Sequence, residues 1–95
     1  MTTVFVSHQV RDYAAWLEGY NADSERRQAT GITEGGHFHS GDNPNVFLIV
    51  WKTDMSAADA QQMAHDMFND PELEGLMAEA GVLEKPAFWV AEDTA

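Results

Sequence analysis

The sequence predicts a single α+β domain over residues 1–95, with the element order β-α-β-β-α-β. Several runs alternate between apolar and polar residues, as strands do, and others repeat apolar residues at helical spacing. A cluster of turn-forming residues separates two of the strand-like runs, which is typical of a hairpin. Because helices and strands are interleaved in this way, we expect a sheet with helices packed on it.

The first strand and the first helix are predicted from the opening third of the chain. Residues 3–10 alternate in hydropathy and predict a strand. Its core-facing side would carry Val4, Val6, His8 and Val10. Asp12 is suited to cap a helix, and apolar residues at helical spacing extend that helix over residues 13–29. Gly31 stands where the helix should end.

A hairpin is predicted in the middle of the chain. Its first strand covers residues 32–39, where Gly35-Gly36 predicts a bulge or an edge position. Residues 40–44 are dense in turn formers. Residues 46–51 are apolar on both faces, which indicates a central strand covered on each side.

The last third predicts two helices and a final strand. Ser56 is suited to cap a helix over residues 57–68. Pro71 fits the first turn of a second, shorter helix, which should stop at Gly81 with that glycine in the left-handed conformation. Residues 86–92 then alternate as a strand should.

This order matches the ferredoxin-like arrangement, in which the helices cover one face of a four-stranded antiparallel sheet. The uncovered face is expected to carry Phe5, Phe47, Ile49 and Trp89. Because an apolar sheet face is costly to expose, we expect two copies to pack these faces together as a homodimer, forming a dimeric α/β barrel.

Composition and charge exclude several classes of partner. Sixteen acidic residues against five basic ones give a net charge of −11, so the clustered cations that bind nucleic acid or anionic membranes are absent. The chain has no cysteine, which removes disulfides and thiolate metal sites. It has no apolar run of membrane-spanning length and a polar start, so a cytoplasmic location is the default expectation. Motifs for phosphate or dinucleotide binding are also missing from it.

Short segments spread over nearly the whole chain carry a resemblance to a known family. They are residues 8–13 with Trp16, Arg27 with Gly31, residues 42–45, residues 70–73 with Met77, and residues 80–82. In their order and spacing, the chain resembles the dimeric α/β-barrel superfamily, which includes the antibiotic-biosynthesis monooxygenase-like proteins and small polyketide cyclases. The resemblance implies a cavity between the sheet and the helices of each subunit, lined here by His8, Trp16 and Tyr20.

Two residues are candidates for catalysis. A histidine on the core-facing side of a strand, as predicted for His8, can act as a general base or orient a carbonyl or phenolate. The alternative is a structural histidine bonded to a helix residue. Tyr20 is the second candidate, because a buried hydroxyl needs a partner that a ligand could supply. The candidate substrate-binding residues are Trp16, Trp51, His65, Phe68 and Met77.

Several of these candidates also have plainer interpretations. The aromatic and methionine side chains suit a flat apolar ligand, but they equally suit a small core. His65 lies on a helix face that looks partly exposed, which favours a surface role. One of Arg26 and Arg27 could hold an anionic ligand, although pairing with Asp23 or Glu25 is more ordinary.

His37 and His39 place two imidazoles on one face of the second strand. Such a pair suits a transition metal, but it needs a third ligand, and an edge strand separated from the first strand does not bring His8 close. The other interpretation is a solvated or dimer-facing pair. We assign no metal site.

Three hypotheses about function follow. The first is an enzyme without a cofactor that binds an aromatic or polyketide-like compound and uses His8, helped by Tyr20 and Trp16, to abstract a proton for oxygenation, cyclisation or isomerisation. The second is a non-catalytic protein that binds a hydrophobic metabolite. The third is a metal or haem site built on histidines.

Overall fold

The structure is a computed structural model that describes residues 1–94. The strands are β1 (Thr2–Gln9), β2 (Ile32–His39), β3 (Val46–Thr53) and β4 (Ala87–Glu92). The helices are α1 (Tyr13–Ala22), α2 (Ser24–Ala29), α3 (Ala57–Phe68) and α4 (Pro71–Glu79). None of these helices has the length and apolar character needed to cross a membrane.

The four strands form one antiparallel sheet in the order β2-β3-β1-β4. The helices pack on one face of it, so the predicted ferredoxin-like α+β fold is confirmed. Both predicted helix caps are also present. The side chains of Asp12 and Ser56 each accept a hydrogen bond from a backbone N–H in the first turn of α1 and α3, and Asp70 caps α4 in the same way.

The prediction of one helix over residues 13–29 is wrong in one respect, because the chain forms two helices there. The break falls at Asp23, whose backbone leaves the helical region at φ −97° and ψ 12°. Its N–H donates to the carbonyl of Tyr20, a tighter bond than that of an α-helix, which closes α1 and lets α2 start in a new direction. The apolar residues keep their helical spacing across Asp23, so the sequence pattern does not reveal that the helix breaks there.

The assignment of Phe47 and Ile49 to the uncovered face is also wrong. In the antiparallel register Phe47 lies opposite His8 and Ile49 opposite Val6, and directly opposed residues point to the same side. Both therefore face the helices and are buried in the core. Since β3 is apolar on both faces, its hydropathy gives no indication of which set points inward.

The uncovered face keeps a broad apolar surface. Trp89, Phe38 and Leu48 are 68%, 57% and 40% exposed. Phe5 lies among them, with its ring centroid 5.7 Å from that of Trp89. No helix of the described chain packs on this side, so this sheet face is apolar and open to solvent in the single chain.

The predicted bulge in β2 is present and changes which side chains face the helices. The pairing of β2 with β3 shifts between Glu34 and Gly36, so that Gly35 is the extra residue. Glu34 and His37 are three positions apart and would lie on opposite faces of a regular strand. With the bulge, both lie on the helix-covered face, opposite Trp51 and Ile49 respectively.

Glycine is favoured at both positions of the bulge. Gly36 has φ +129°, which side chains rarely allow. A Cβ at Gly35 would meet the side chain and the carbonyl oxygen of Val50 at 3.0 Å, which is tighter than nine in ten contacts of real Cβ atoms. The Gly35-Gly36 pair is therefore what permits the change of face.

The predicted left-handed glycine at the end of α4 is confirmed, since Gly81 has φ +91°. We expect Gly81→Val to lower the free energy of unfolding by about 1 kcal/mol or more, because a β-branched residue is strained at positive φ. Gly75→Ala is a matched control inside α4, where an added methyl meets nothing within 4 Å and should stabilise the helix slightly. Urea unfolding of both variants measures the difference, and an unchanged midpoint for Gly81→Val would contradict this account.

Candidate functional site

A cavity of about 480 Å³ lies between the sheet and helices α1, α2 and α4, with α3 closing one side. Its floor is formed by side chains of the sheet, including His8 and Trp51. Trp16 and Tyr20 of α1 form one wall. His8, Trp16 and Tyr20 thus meet at one cavity, as the sequence predicted, because His8 shares the face of Val4 and Val6. The cavity is of a size that suits a small-molecule ligand.

His8 is held by aromatic rings in the floor of the cavity. Its imidazole stacks on Phe47 with ring centroids 5.4 Å apart, and it lies 5.3 Å from Trp16. Only 5% of the residue is exposed, and its Nδ1 has no hydrogen-bond partner among the described residues. An unpaired buried nitrogen costs stability, so its presence at a cavity points to a function.

Burial controls the protonation state of His8. Desolvation lowers the pKa of His8 to about 4, and the nearby His37 makes a smaller contribution in the same direction. The imidazole is therefore neutral at physiological pH. A neutral ring carries one nitrogen that donates a hydrogen bond and one that accepts, so it can bind either a hydroxyl or a carbonyl.

The hydroxyl of Tyr20 is already engaged by protein groups. It accepts a hydrogen bond of 2.7 Å from the indole Nε1 of Trp51 and donates one of 2.8 Å to the carboxylate of Glu34. The sequence had left this partner to a ligand, and the structure supplies it from the protein. Burial raises the pKa of Tyr20, which keeps the phenol protonated.

Arg27 completes this polar end of the cavity. Its Nε donates to Glu34 at 3.1 Å and its Nη1 donates to the carbonyl of Tyr20 at 2.7 Å. The guanidinium lies 3.4 Å above the centre of the Tyr20 ring, a cation–π contact. The expected pairing with Asp23 is present for Arg26, at 3.6 Å. Arg27 differs from that expectation, because its partner is Glu34.

Glu34 is the residue of this site that the sequence reasoning missed. Its Oε1 accepts the hydrogen bond of Arg27, and its Oε2 accepts that of Tyr20 and lies 3.8 Å from the Nε2 of His37. It faces the helices as part of β2 just before the bulge. The signal was present in the sequence, because a bulge at Gly35-Gly36 predicts that the residues on either side of it keep the same face.

The two histidines of β2 form hydrogen bonds with different partners. Nδ1 of His37 is hydrogen-bonded to the hydroxyl of Tyr13 at 2.9 Å, and Nδ1 of His39 to the carbonyl of Pro44 at 2.7 Å. Both lie on the helix-covered side, so the solvated or dimer-facing alternative is wrong for His37, which is half-buried. Within residues 1–94, no group of three or more potential ligands is placed to hold a metal ion.

Most of the candidate substrate-binding residues reach the cavity. Its lining includes Trp16, Trp51, Phe68 and Met77. His65 does not belong with them, since it points away from the sheet and 64% of its side chain is exposed beside Asp66. It lies on the face of α3 opposite to buried Ala60 and Ala64, and that helical position decides its exposure.

No family model matches the sequence, and no curated protein matches it. Solved structures do match along the whole chain. A protein from Bordetella bronchiseptica, provisionally named an antibiotic biosynthesis monooxygenase, is 17% identical with a TM-score of 0.69, covering 99% of this chain and 97% of its own. A second structure, titled antibiotic biosynthesis monooxygenase, is 14% identical with a TM-score of 0.63 and full coverage of both chains.

A third structure, an uncharacterised NIPSNAP domain protein from Burkholderia xenovorans, is 14% identical with a TM-score of 0.62, covering 100% of this chain and 96% of its own. This chain has the fold of those proteins. The resemblance that the sequence carried is thereby confirmed at the level of fold. Identities this low extend no activity from them to this chain.

The protonation of His8 gives a prediction for stability. The unfolded chain binds a proton at His8 near pH 6.5, whereas the folded protein binds it only near pH 4. The unfolded state therefore holds more protons between these values, and stability falls as the pH drops through that range. Relative to His8→Phe, which lacks the titrating group, the wild type should lose stability between about pH 7 and pH 4. Urea unfolding at several pH values measures this.

The same property can be observed directly by NMR. The imidazole Cε1–H resonance of His8 should titrate with a midpoint near pH 4 in the folded protein. A midpoint close to the ordinary histidine value of 6.5 would contradict the burial described above.

Proposed function

We propose that this protein binds a flat, largely apolar aromatic or polyketide-like compound in the cavity beneath α1. The support comes from the rings that form its walls. Trp16 and Tyr20 stack with centroids 4.6 Å apart, and Trp51 and Phe68 stack at 6.2 Å with nearly parallel planes. Rigid aromatic surfaces favour planar ligands, since such contacts cost little conformational entropy.

We further propose that the protein is an enzyme without a cofactor, in which His8 acts as the general base. The observation that carries this proposal is that a neutral imidazole lines the cavity and makes no hydrogen bond through its buried Nδ1 to the described residues. The imidazole takes a proton from an acidic C–H or phenol of the ligand and leaves the electron pair on the ligand as an enolate or phenolate. The imidazolium then stabilises the adjacent anion of the ligand, because opposite charges attract strongly where the dielectric constant is low.

Oxygenation, cyclisation and isomerisation all start from such an anion. The anion can transfer one electron to molecular oxygen, after which the two radicals combine to a peroxide. Alternatively, its electron pair can attack a carbonyl of the same molecule, or the imidazolium can return the proton to a different carbon, which moves the double bond. Tyr20 is assigned to positioning rather than proton transfer, because Glu34 and Trp51 hold its hydroxyl. Its ring, with that of Trp16, orients the ligand over His8.

The second candidate function is non-catalytic binding of a hydrophobic metabolite in the same cavity. The low pKa of His8, about 4, favours it, since a base is most effective when its pKa lies near the working pH. In this case the neutral imidazole would only donate or accept a hydrogen bond that orients the ligand.

Replacing His8 separates the two functions. We expect the wild type to convert an electron-rich polycyclic phenol such as a dihydroxynaphthalene, and His8→Phe to lower kcat by about 100-fold or more while still binding it. Product formation measures turnover, and calorimetric titration measures binding. His65→Gln is the matched control and should retain full activity, because that side chain is exposed on α3.

Each outcome of this experiment has a defined meaning. Binding without turnover by the wild type supports the second function, and equal turnover by wild type and His8→Phe removes His8 as the base. Failure of every phenol and planar apolar compound to bind would overturn both.

The uncovered sheet face supports a homodimer, which we propose as the state of the protein in solution. Trp89, Phe38 and Leu48 form an apolar patch with no covering helix. Burying apolar surface is worth about 25 cal/mol per Å², and a second copy of the same face would supply a matching surface.

Light scattering after size exclusion tests the dimer. We expect a mass of about twice the 10.5 kDa of the chain. Trp89→Asp should shift the protein to the monomer, because it puts a charge in place of the most exposed ring of the patch. Leu83→Asp is the control, since Leu83 is equally apolar and exposed but lies outside the sheet. A wild-type monomer at micromolar concentration would contradict the dimer.

A further inference from the structure

The polar groups around the cavity are almost all paired with one another. The indole of Trp51 donates to Tyr20, and the hydroxyl of Thr30 donates to the carbonyl of Arg27. Arg26 pairs with Asp23. The imidazole of His8 is the exception on the floor of the cavity. A ligand therefore finds one strong hydrogen-bonding position at His8 and few others.

Arg27 would otherwise be the natural place for an anion. Its guanidinium lines the cavity, is only 7% exposed, and is fixed in position by the Tyr20 ring and the Tyr20 carbonyl. A fixed, desolvated guanidinium is a favourable partner for a carboxylate. In this chain Glu34 already provides that carboxylate, at 3.1 Å from Nε.

We propose that Glu34 determines specificity by acting as the internal counter-ion of Arg27, so that the cavity takes neutral ligands and rejects carboxylates. This inference rests on the proposed function of the cavity as a site for planar apolar compounds. Glu34 lies outside the lining of the cavity, but its carboxylate bonds two lining residues, Arg27 through Nε and Tyr20 through its hydroxyl. A ligand carboxylate at Arg27 would therefore meet a guanidinium whose charge is already compensated. A neutral ligand loses nothing, because it needs only the imidazole of His8.

Glu34→Gln tests the proposal with little change in shape. It keeps the length of the side chain but removes the negative charge, which leaves Arg27 as an uncompensated cation at the cavity. We expect the variant to bind anionic ligands more tightly while neutral ligands are unaffected.

A pair of ligands of matched shape provides the readout, namely 2-naphthol and 2-naphthoate measured by calorimetric titration. For the wild type, naphthoate should bind at least about tenfold more weakly than naphthol. In Glu34→Gln, the affinity for naphthoate should rise by about tenfold or more, while that for naphthol should stay within about twofold.

Glu84→Gln is the matched control. Glu84 carries the same charge and is exposed, but it does not line the cavity. Its replacement should leave the ratio of the two affinities close to that of the wild type. An equal gain in naphthoate binding in both variants would show an effect of net charge and overturn the role of Glu34.

The remaining outcomes separate this inference from the proposed function. If the wild type binds naphthol and naphthoate equally, the inference about Glu34 fails while the cavity remains a ligand site. If Glu34→Gln is folded by circular dichroism and its naphthoate affinity is unchanged, the inference also fails. If the wild type binds neither compound nor any other planar apolar ligand, the proposed function fails. The wild-type comparison needs no variant, so a folding defect in Glu34→Gln does not prevent the test.

Discussion

The close approach of β2 to β3 at Gly35 is the constraint on which the organisation of the site depends. A side chain at Gly35 would crowd the side chain and the carbonyl oxygen of Val50 at 3.0 Å, so glycine lets the two backbones come together there without a shift. The extra residue that fits into the strand returns His37 to the same face as Glu34. The ion pair with Arg27 and the hydrogen bonds of Tyr20 and Tyr13 all follow from that one change of face.

The polar groups around the cavity differ in whether other protein groups hydrogen-bond to them. Tyr20, Trp51 and Arg27 are held by one another and by Glu34, so their polar atoms are satisfied without a ligand. His8 lies among aromatic rings that offer it no hydrogen bond. Among these four residues, His8 is therefore the one that keeps a buried polar atom without a partner in the described chain.

Much of the fold could be predicted from the sequence because its signals are local. Alternation over β1 identified the face of His8, and side-chain caps at Asp12 and Ser56 marked where helices begin. The features that were mispredicted depend on pairing between distant segments. Ile49 faces the helices because of its register with β1, which a strand that is apolar on both sides does not reveal.

The candidate site was predictable to the extent that it uses those local signals. His8, Trp16 and Tyr20 were grouped correctly, because strand parity and helical spacing determine their directions. Predicting Glu34 required working out how the bulge changes which residues of β2 face the helices. His65 was misplaced in the site because a histidine near core residues in sequence need not share their side of the helix.

One wall of the cavity differs from the others in how firmly it is held. Helix α4 has no buried residue, whereas α1 is anchored by Trp16 and α3 by Ala60, Ala64 and Phe68. Segments with little buried surface open at a small fraction of the free energy needed to unfold the whole domain. Helix α4 is therefore the wall of the cavity that should open at the least cost, and its displacement would leave the sheet, its bulge and the floor around His8 intact.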